Sequence, residues 1–241
     1  MSARSFRLAL SDLASAQKST RGVSLYSRFV NRPIGRLLAA LSYRLGMSPN
    51  QVTAASGVTT AAGILVMLAG PPHPLRGVVV ALLLVLGFAL DSADGQVARL
   101  TGRGSAAGEW LDHVLDAAKI VSIHAAVLIV AFRFFPMGGR WLLVPLGFQV
   151  VSIVTFFGGE LERHLRPSSK ANLAPREPSM LRAVGLLPAD YGILAISFGL
   201  FGWPWLFAIV YGLLFVANLV IMLLLLSKWF RALSPPPPGR I

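Results

Sequence analysis

Half of the ten acidic residues lie between positions 91 and 116: Asp91, Asp94, Glu109, Asp112 and Asp116. Asp91 and Asp94 are three apart and share a face of one helix; Asp112 and Asp116 are four apart and share a face of the next. A short turn between the helices lets the two faces meet. Four converging carboxylates repel one another and take up protons unless cations compensate them, and hard divalent ions take oxygen ligands of this kind. The spacing therefore predicts a two-ion magnesium or manganese site. Helix-end salt bridges to Arg99, Arg103 or Lys119 are the plainer use of the same residues. Gly95, Ala98 and Gly108 leave the intervening surface without bulk, which suits either a ligand close to the backbone or tight helix packing.

The elements that must hold these residues belong to a membrane. Of 241 residues, 55% are hydrophobic and 13% charged, and the mean hydropathy is +0.67. That balance lies outside the range of soluble domains. Cysteine is absent, so a thiolate metal site, a cysteine nucleophile and a disulfide framework are excluded. A net charge of +12 on so apolar a chain reads as lysine and arginine at membrane edges, not as a nucleic-acid surface.

A spanning helix needs about 20 apolar residues, and six stretches qualify: 50–69, 76–98, 106–132, 140–161, 187–202 and 204–227. The predicted fold is an all-α integral membrane protein with six transmembrane helices after an N-terminal amphipathic juxtamembrane helix. Lysines and arginines crowd the segments on one side, while Arg76, Arg133 and Arg140 fall on the other. The positive-inside rule then puts both termini and the aspartates on the cytoplasmic side of the cell membrane. Arg28, Arg32 and Arg36 share one helical face, with Leu37, Leu38 and Leu41 following, as in a helix lying in the headgroup layer. Residues 1–18 lack the apolar core of a cleaved signal peptide. Three regions result: a cytoplasmic segment over 1–46, a six-helix domain over 47–230, and a proline-rich tail over 231–241.

The string Asp91-Ser-Ala-Asp94-Gly95-Gln-Val-Ala98-Arg99, with Gly108, Asp112 and Asp116 at their gaps, resembles the signature of the CDP-alcohol phosphotransferase family at every position. Ser48-Pro49-Asn50-Gln51-Val52-Thr53 is similar to that family's stretch before its first span. The resemblance implies transfer of a phosphatidyl group from CDP-diacylglycerol to a polar alcohol with release of CMP, in phospholipid biosynthesis. It makes the protein a metal-dependent transferase of substituted phosphate groups. Asp91, Asp94, Asp112 and Asp116 become ligands of two Mg2+ or Mn2+ ions, Asp116 also the base, and Asp91, Asp94, Gly95, Ala98 and Gly108 neighbours of the nucleotide. A homodimer is implied as well. Asn50 and Thr53 either contact the nucleotide or belong to a helix start, for which Ser48 and Asn50 are suited. Arg99 either holds a phosphate or favours a helix C-terminus. Lys119 either binds an acceptor phosphate or pairs with Asp116 or Asp112.

Outside the signature, Glu160, Glu162, Arg163 and Arg166 read as an acceptor pocket or as a solvated helix end. His113 and His124 read as structural, and Asp190 as a helix-start residue. The segment 18–36 looks similar to members that join inositol phosphates through CDP-inositol, which makes a CDP-linked polyol donor with an inositol phosphate acceptor the alternative chemistry. A divalent-cation transporter is the non-enzyme alternative; its aspartates belong at mid-membrane, whereas these four cluster near one predicted face.

Overall fold

Apolar runs bounded by glycine and proline become long helices in the computed structural model, which describes residues 6–15, 24–166 and 180–234. Among the described residues there is no strand. The helices are α1 (Phe6–Ser15), α2 (Arg32–Arg44), α3 (Pro49–Leu68), α4 (Pro74–Thr101), α5 (Ala106–Phe134), α6 (Leu143–Leu165), α7 (Met180–Gly185), α8 (Tyr191–Ser197) and α9 (Pro204–Leu233). A π-helical turn over Ser27–Asn31 leads into α2. Pro235 to Pro238, residues 18–23 and most of the fourth-to-fifth connection lie outside the described residues.

Among the described residues, five helical segments are long and apolar enough to cross a bilayer: α3, α4, α5, Gly139–Leu165 (a 3-10 turn plus α6) and α9. The fifth expected span, 187–202, is not one long helix. There, α8 has seven residues, flanked by 3-10 turns at Leu187–Ala189 and Phe198–Leu200. Seven helical residues rise about 10 Å, against about 30 Å of hydrocarbon. Hydropathy counts apolar residues and misses the interruptions. Pro188 and the Gly202-Trp203-Pro204 break bound this segment, and its aromatic end is buried: Phe198 and Phe201 join Met67, Leu84, Phe148, Phe207 and Tyr211 in the main core.

Asp190 starts α8 and ties it to the N-terminal segment. Its carboxylate accepts the Gly192 N–H at 2.8 Å, the Ser27 N–H at 3.2 Å and the Ser27 hydroxyl at 2.6 Å, with the Ser24 hydroxyl on the same oxygen as Ser27. Burial, then the nearby Asp190 charge, pushes the Tyr26 phenol up. Truncation at a buried, hydrogen-bonded carboxylate leaves its donors unpaired, at about 1–3 kcal/mol for each group so stranded. Asp190→Ala is expected to lower the thermal unfolding midpoint in detergent clearly; an unchanged midpoint would show that this tie carries no stability.

In α2 the inward face is small, with Gly35, Ala39, Ala40 and Ser42 buried where the helix packs on α4. Leu37, Leu41 and Leu45 point outward, each at least 45% exposed. A smaller core of Ala39, Ala40, Val52, Ala93 and Val97 sits at the end of α4 that carries the aspartates, and fixes the helices around them.

Candidate active site

The turn from α4 to α5 decides how the two acidic faces approach. Gly102 ends α4 with φ +64°, a left-handed conformation that costs glycine nothing and strains other residues. Ser105 then caps α5, its hydroxyl accepting the Gly108 N–H at 3.1 Å. Past this turn α4 and α5 make little contact with each other, and each packs on α3 instead. The space left between them is a cavity of about 730 Å³.

Asp94, Asp112 and Asp116 line this cavity, as do Asn50, Thr53, Gly95, Ala98, Arg99 and Gly108. Asp91 and Lys119 are not in its lining. Nevertheless, one carboxylate oxygen each from Asp91, Asp112 and Asp116 lies within 4.8 Å of the other two. Asp94 is fixed separately and is buried. The Thr53 hydroxyl donates to its Oδ2 at 2.6 Å, and its Oδ1 accepts the Gly95 N–H. The Thr53 side chain thus acts on a carboxylate 41 residues away, a link that spacing along the chain does not reveal. Lys119 donates to Asp116 at 3.0 Å and to Asp91 as well, and its side chain is only 10% exposed. Asp116 is one of the partners expected from the spacing; Asp91, which reaches Lys119 from α4, is not among them.

Ser48 makes a reciprocal cap with Gln51 at the start of α3, which sets Asn50 and Thr53 at the cavity mouth. At Gly108 a Cβ atom would stand 2.9 Å from Asn50 Oδ1 and 3.3 Å from Ser105 Oγ. A side chain at this position would have to push the Asn50 side chain aside.

The opposite wall is formed by His113, Phe156, Glu160 and Arg163, with Arg103 and Glu109 also in the lining. Glu160 accepts from Arg163 at 2.7 Å and faces His113 Nε2 at 3.4 Å, so that α6 closes over α5. His113 therefore belongs to the cavity wall, whereas His124 is buried in the core and bonds Tyr211 OH at 2.5 Å and Ser152 Oγ at 3.1 Å. Sequence reasoning passed over Phe156 and placed His113 among structural residues. The available signal for His113 was its position beside Asp112, and nothing in the sequence set Phe156 apart from other membrane-facing aromatics.

The donor set fits a divalent cation. Carboxylate oxygens bind magnesium or calcium at about 2.0–2.6 Å, so oxygens that share one ion lie within roughly twice that distance, and the three aspartates meet this condition. The acidic cluster is consistent with divalent-metal use.

Comparison with known proteins gives the family. The sequence profile for CDP-alcohol phosphatidyltransferase matches residues 46–232. Archaetidylinositol phosphate synthase of Aeropyrum pernix is 37% identical over 101 residues, which are 42% of this chain and 50% of that protein; the chain thus spans about half the length of this curated relative. In fold, the chain is similar to phosphatidylinositol phosphate synthase of Mycobacterium tuberculosis with CDP-DAG bound. The TM-score is 0.58 at 21% identity, covering 88% of this chain and 98% of that one. For the same enzyme in complex with manganese and citrate, the TM-score is 0.55, again at 21% identity, over 88% and 93% of the two chains. At this identity the likeness is one of fold. The profile match takes in all five long helices, the short segment between α6 and α9, and the whole cavity lining, and on that ground the chain belongs to the CDP-alcohol phosphatidyltransferase family.

Proposed function

We propose that this protein transfers a phosphatidyl group from CDP-diacylglycerol to a polar alcohol and releases CMP, in phospholipid biosynthesis. The observation that carries the reading is one cavity lined by both aspartates and small residues. Asp94, Asp112 and Asp116 line it beside Gly95, Ala98 and Gly108, and the Asp91 carboxylate stands within reach of the latter two aspartates. The small residues leave room for a flat nucleotide base and ribose. The aspartates suit a pyrophosphate only with cations between. Asp91, Asp94, Asp112 and Asp116 would hold a divalent ion, Mg2+ or Mn2+, whose charge neutralises the pyrophosphate and the departing CMP.

The remaining work falls to side chains of this chain. Thr53 holds the Asp94 carboxylate in one orientation. Asp116, which lines the cavity, accepts the proton of the acceptor hydroxyl. That oxygen bonds to the phosphorus bearing the diacylglycerol, the bond from this phosphorus to the bridging oxygen breaks, and CMP leaves with the electron pair. No covalent intermediate on the protein is needed. Asn50 and Arg99 stand where the nucleotide and its phosphates would lie. Arg99 and Arg103 add positive charge to the lining, which suits a phosphorylated acceptor, and the archaeal relative's name supports inositol phosphate as the first candidate to test. The excess of lysine and arginine in the connections on the aspartate side supports a cytoplasmic face, open both to soluble acceptor and to membrane lipid.

The test is CMP release by the purified protein with CDP-diacylglycerol and Mn2+ or Mg2+, against inositol phosphate, inositol, glycerol phosphate and serine. CMP formation that depends on one acceptor and disappears with EDTA is expected. Turnover with CDP-inositol in place of the lipid donor would assign the polyol chemistry instead. Failure with every pair would remove the transferase reading.

A further inference from the structure

The C-terminal end of α6 carries Glu160, Glu162 and Arg163, with Arg166 just beyond it, and the structure divides them into two unlike pairs. Glu162 accepts from Arg166 Nε at 2.8 Å, and neither residue lines the cavity. Glu160 and Arg163 both line it. One oxygen of Glu160, Oε1, accepts from Arg163 at 2.7 Å. The other, Oε2, is buried, stands 3.4 Å from His113 Nε2 and has no hydrogen-bond partner among the described residues. The remaining carboxylates of the lining are engaged or solvated. Both oxygens of Asp94 accept protein hydrogen bonds, from Thr53 and from the Gly95 amide. Asp112 and Asp116 belong to the close group, and Glu109 is exposed. Glu160 therefore offers the cavity a buried acceptor oxygen outside the acidic cluster.

An ionised carboxylate only accepts hydrogen bonds, so whatever completes Oε2 is a donor. Water can serve while the cavity is empty, but a substrate that displaces it must bring a donor of its own or leave the oxygen stranded. A hydroxyl and an ammonium both qualify by donor count, and charge separates them. The Arg163 guanidinium already balances this carboxylate, and an ammonium would add a second positive charge beside it. A neutral hydroxyl brings the donor without the charge. The hydroxyl that attacks phosphorus gives its proton to Asp116, so the one that meets Glu160 is another. We propose that Glu160 recognises the acceptor: its Oε2 accepts a hydrogen bond from a hydroxyl other than the attacking one, and the site thereby takes a polyol in preference to an amino alcohol. The inference rests on the transferase reading of the cavity.

The experiment follows CMP release by the purified full-length protein with CDP-diacylglycerol and saturating Mn2+. The acceptors are inositol phosphate, glycerol phosphate and serine, and then the monodeoxy derivatives of whichever polyol turns over. In Glu160→Ala the acceptor KM is expected to rise about 10–100-fold, the usual worth of a hydrogen bond to a charged group, while kcat and the KM for CDP-diacylglycerol stay within about threefold. One deoxy derivative should lose as much with wild type and nothing further with Glu160→Ala, a coupling that a merely structural role would not produce. An unchanged acceptor KM in Glu160→Ala, equal penalties for every deoxy derivative in both proteins, or serine as the preferred acceptor would overturn the proposal. If Glu160→Ala does not fold, Glu160→Gln carries the same comparison, with a smaller rise in KM expected because its amide oxygen still accepts. No turnover with any acceptor would instead remove the transferase reading beneath it, a failure distinguishable from turnover that ignores Glu160.

Discussion

Asp116→Asn is expected to cut acceptor-dependent CMP release by about 10²–10⁴-fold, the usual contribution of a positioned general base. Asparagine has the same shape and can still accept hydrogen bonds, but its amide cannot take the proton of the attacking hydroxyl. Because Asp116 also belongs to the close carboxylate group, the variant should bind Mn2+ more weakly. The rate must therefore be compared at Mn2+ concentrations that saturate both proteins. A rate within tenfold of wild type under those conditions would remove Asp116 as the base and leave it a metal ligand only. The unfolding midpoint should fall little, since Lys119 retains Asp91 as its partner.

Gly108→Leu should have the second-largest effect, on a different step. The position starts α5 beside Asn50, and even a Cβ would press on the Asn50 oxygen at 2.9 Å. A leucine must displace Asn50 or fill the cavity beside it, and either outcome narrows the space assigned to the nucleotide. Binding of CDP, measured by calorimetry, is expected to weaken at least about 100-fold, a loss of roughly 2.7 kcal/mol by the usual conversion. Mn2+ binding should stay as in wild type, because no aspartate is touched. Gly212→Leu serves as control: nothing lies within 4 Å of a Cβ there, and CDP binding should be unaltered. Equal loss of CDP binding in both variants would mean that Gly108 has no special place in the site.

The two variants also separate what each part of the signature does. The aspartates supply charge, and the small residues supply absence of bulk. The first property is chemical and survives any rearrangement that keeps the carboxylates together. The second is steric and depends on where α3 stands, because Asn50 of α3 is the atom group that Gly108 faces.

Much of the molecule is legible before folding. Apolar runs of about twenty residues announce α3, α4, α5, α6 and α9, because the bilayer demands that length from any spanning helix. The capping of α3 by Ser48 and of α5 by Ser105 is local chemistry over three residues, and the spacing of Asp91, Asp94, Asp112 and Asp116 follows from helical periodicity alone. These features depend on near neighbours along the chain, which is why residue order suffices to read them.

Other features exist only in three dimensions. The 187–202 stretch has the composition of a span, yet it forms a short helix between 3-10 turns with Phe198 and Phe201 buried. That outcome depends on what α4 and α9 offer it to pack against. The bond from Thr53 to Asp94, the reach of Lys119 to Asp91, and the contact of Glu160 with His113 each join separate helices. So does the cavity itself, which opens because α4 and α5 both pack on α3 more than on each other. Sequence by itself determined which residues could do the chemistry and which helices would carry them, since periodicity and hydropathy are properties of one segment at a time. Tertiary structure alone decided which carboxylate meets the lysine, which hydroxyl holds Asp94 and where the open space lies, because those depend on the packing of helices that the chain separates by dozens of residues.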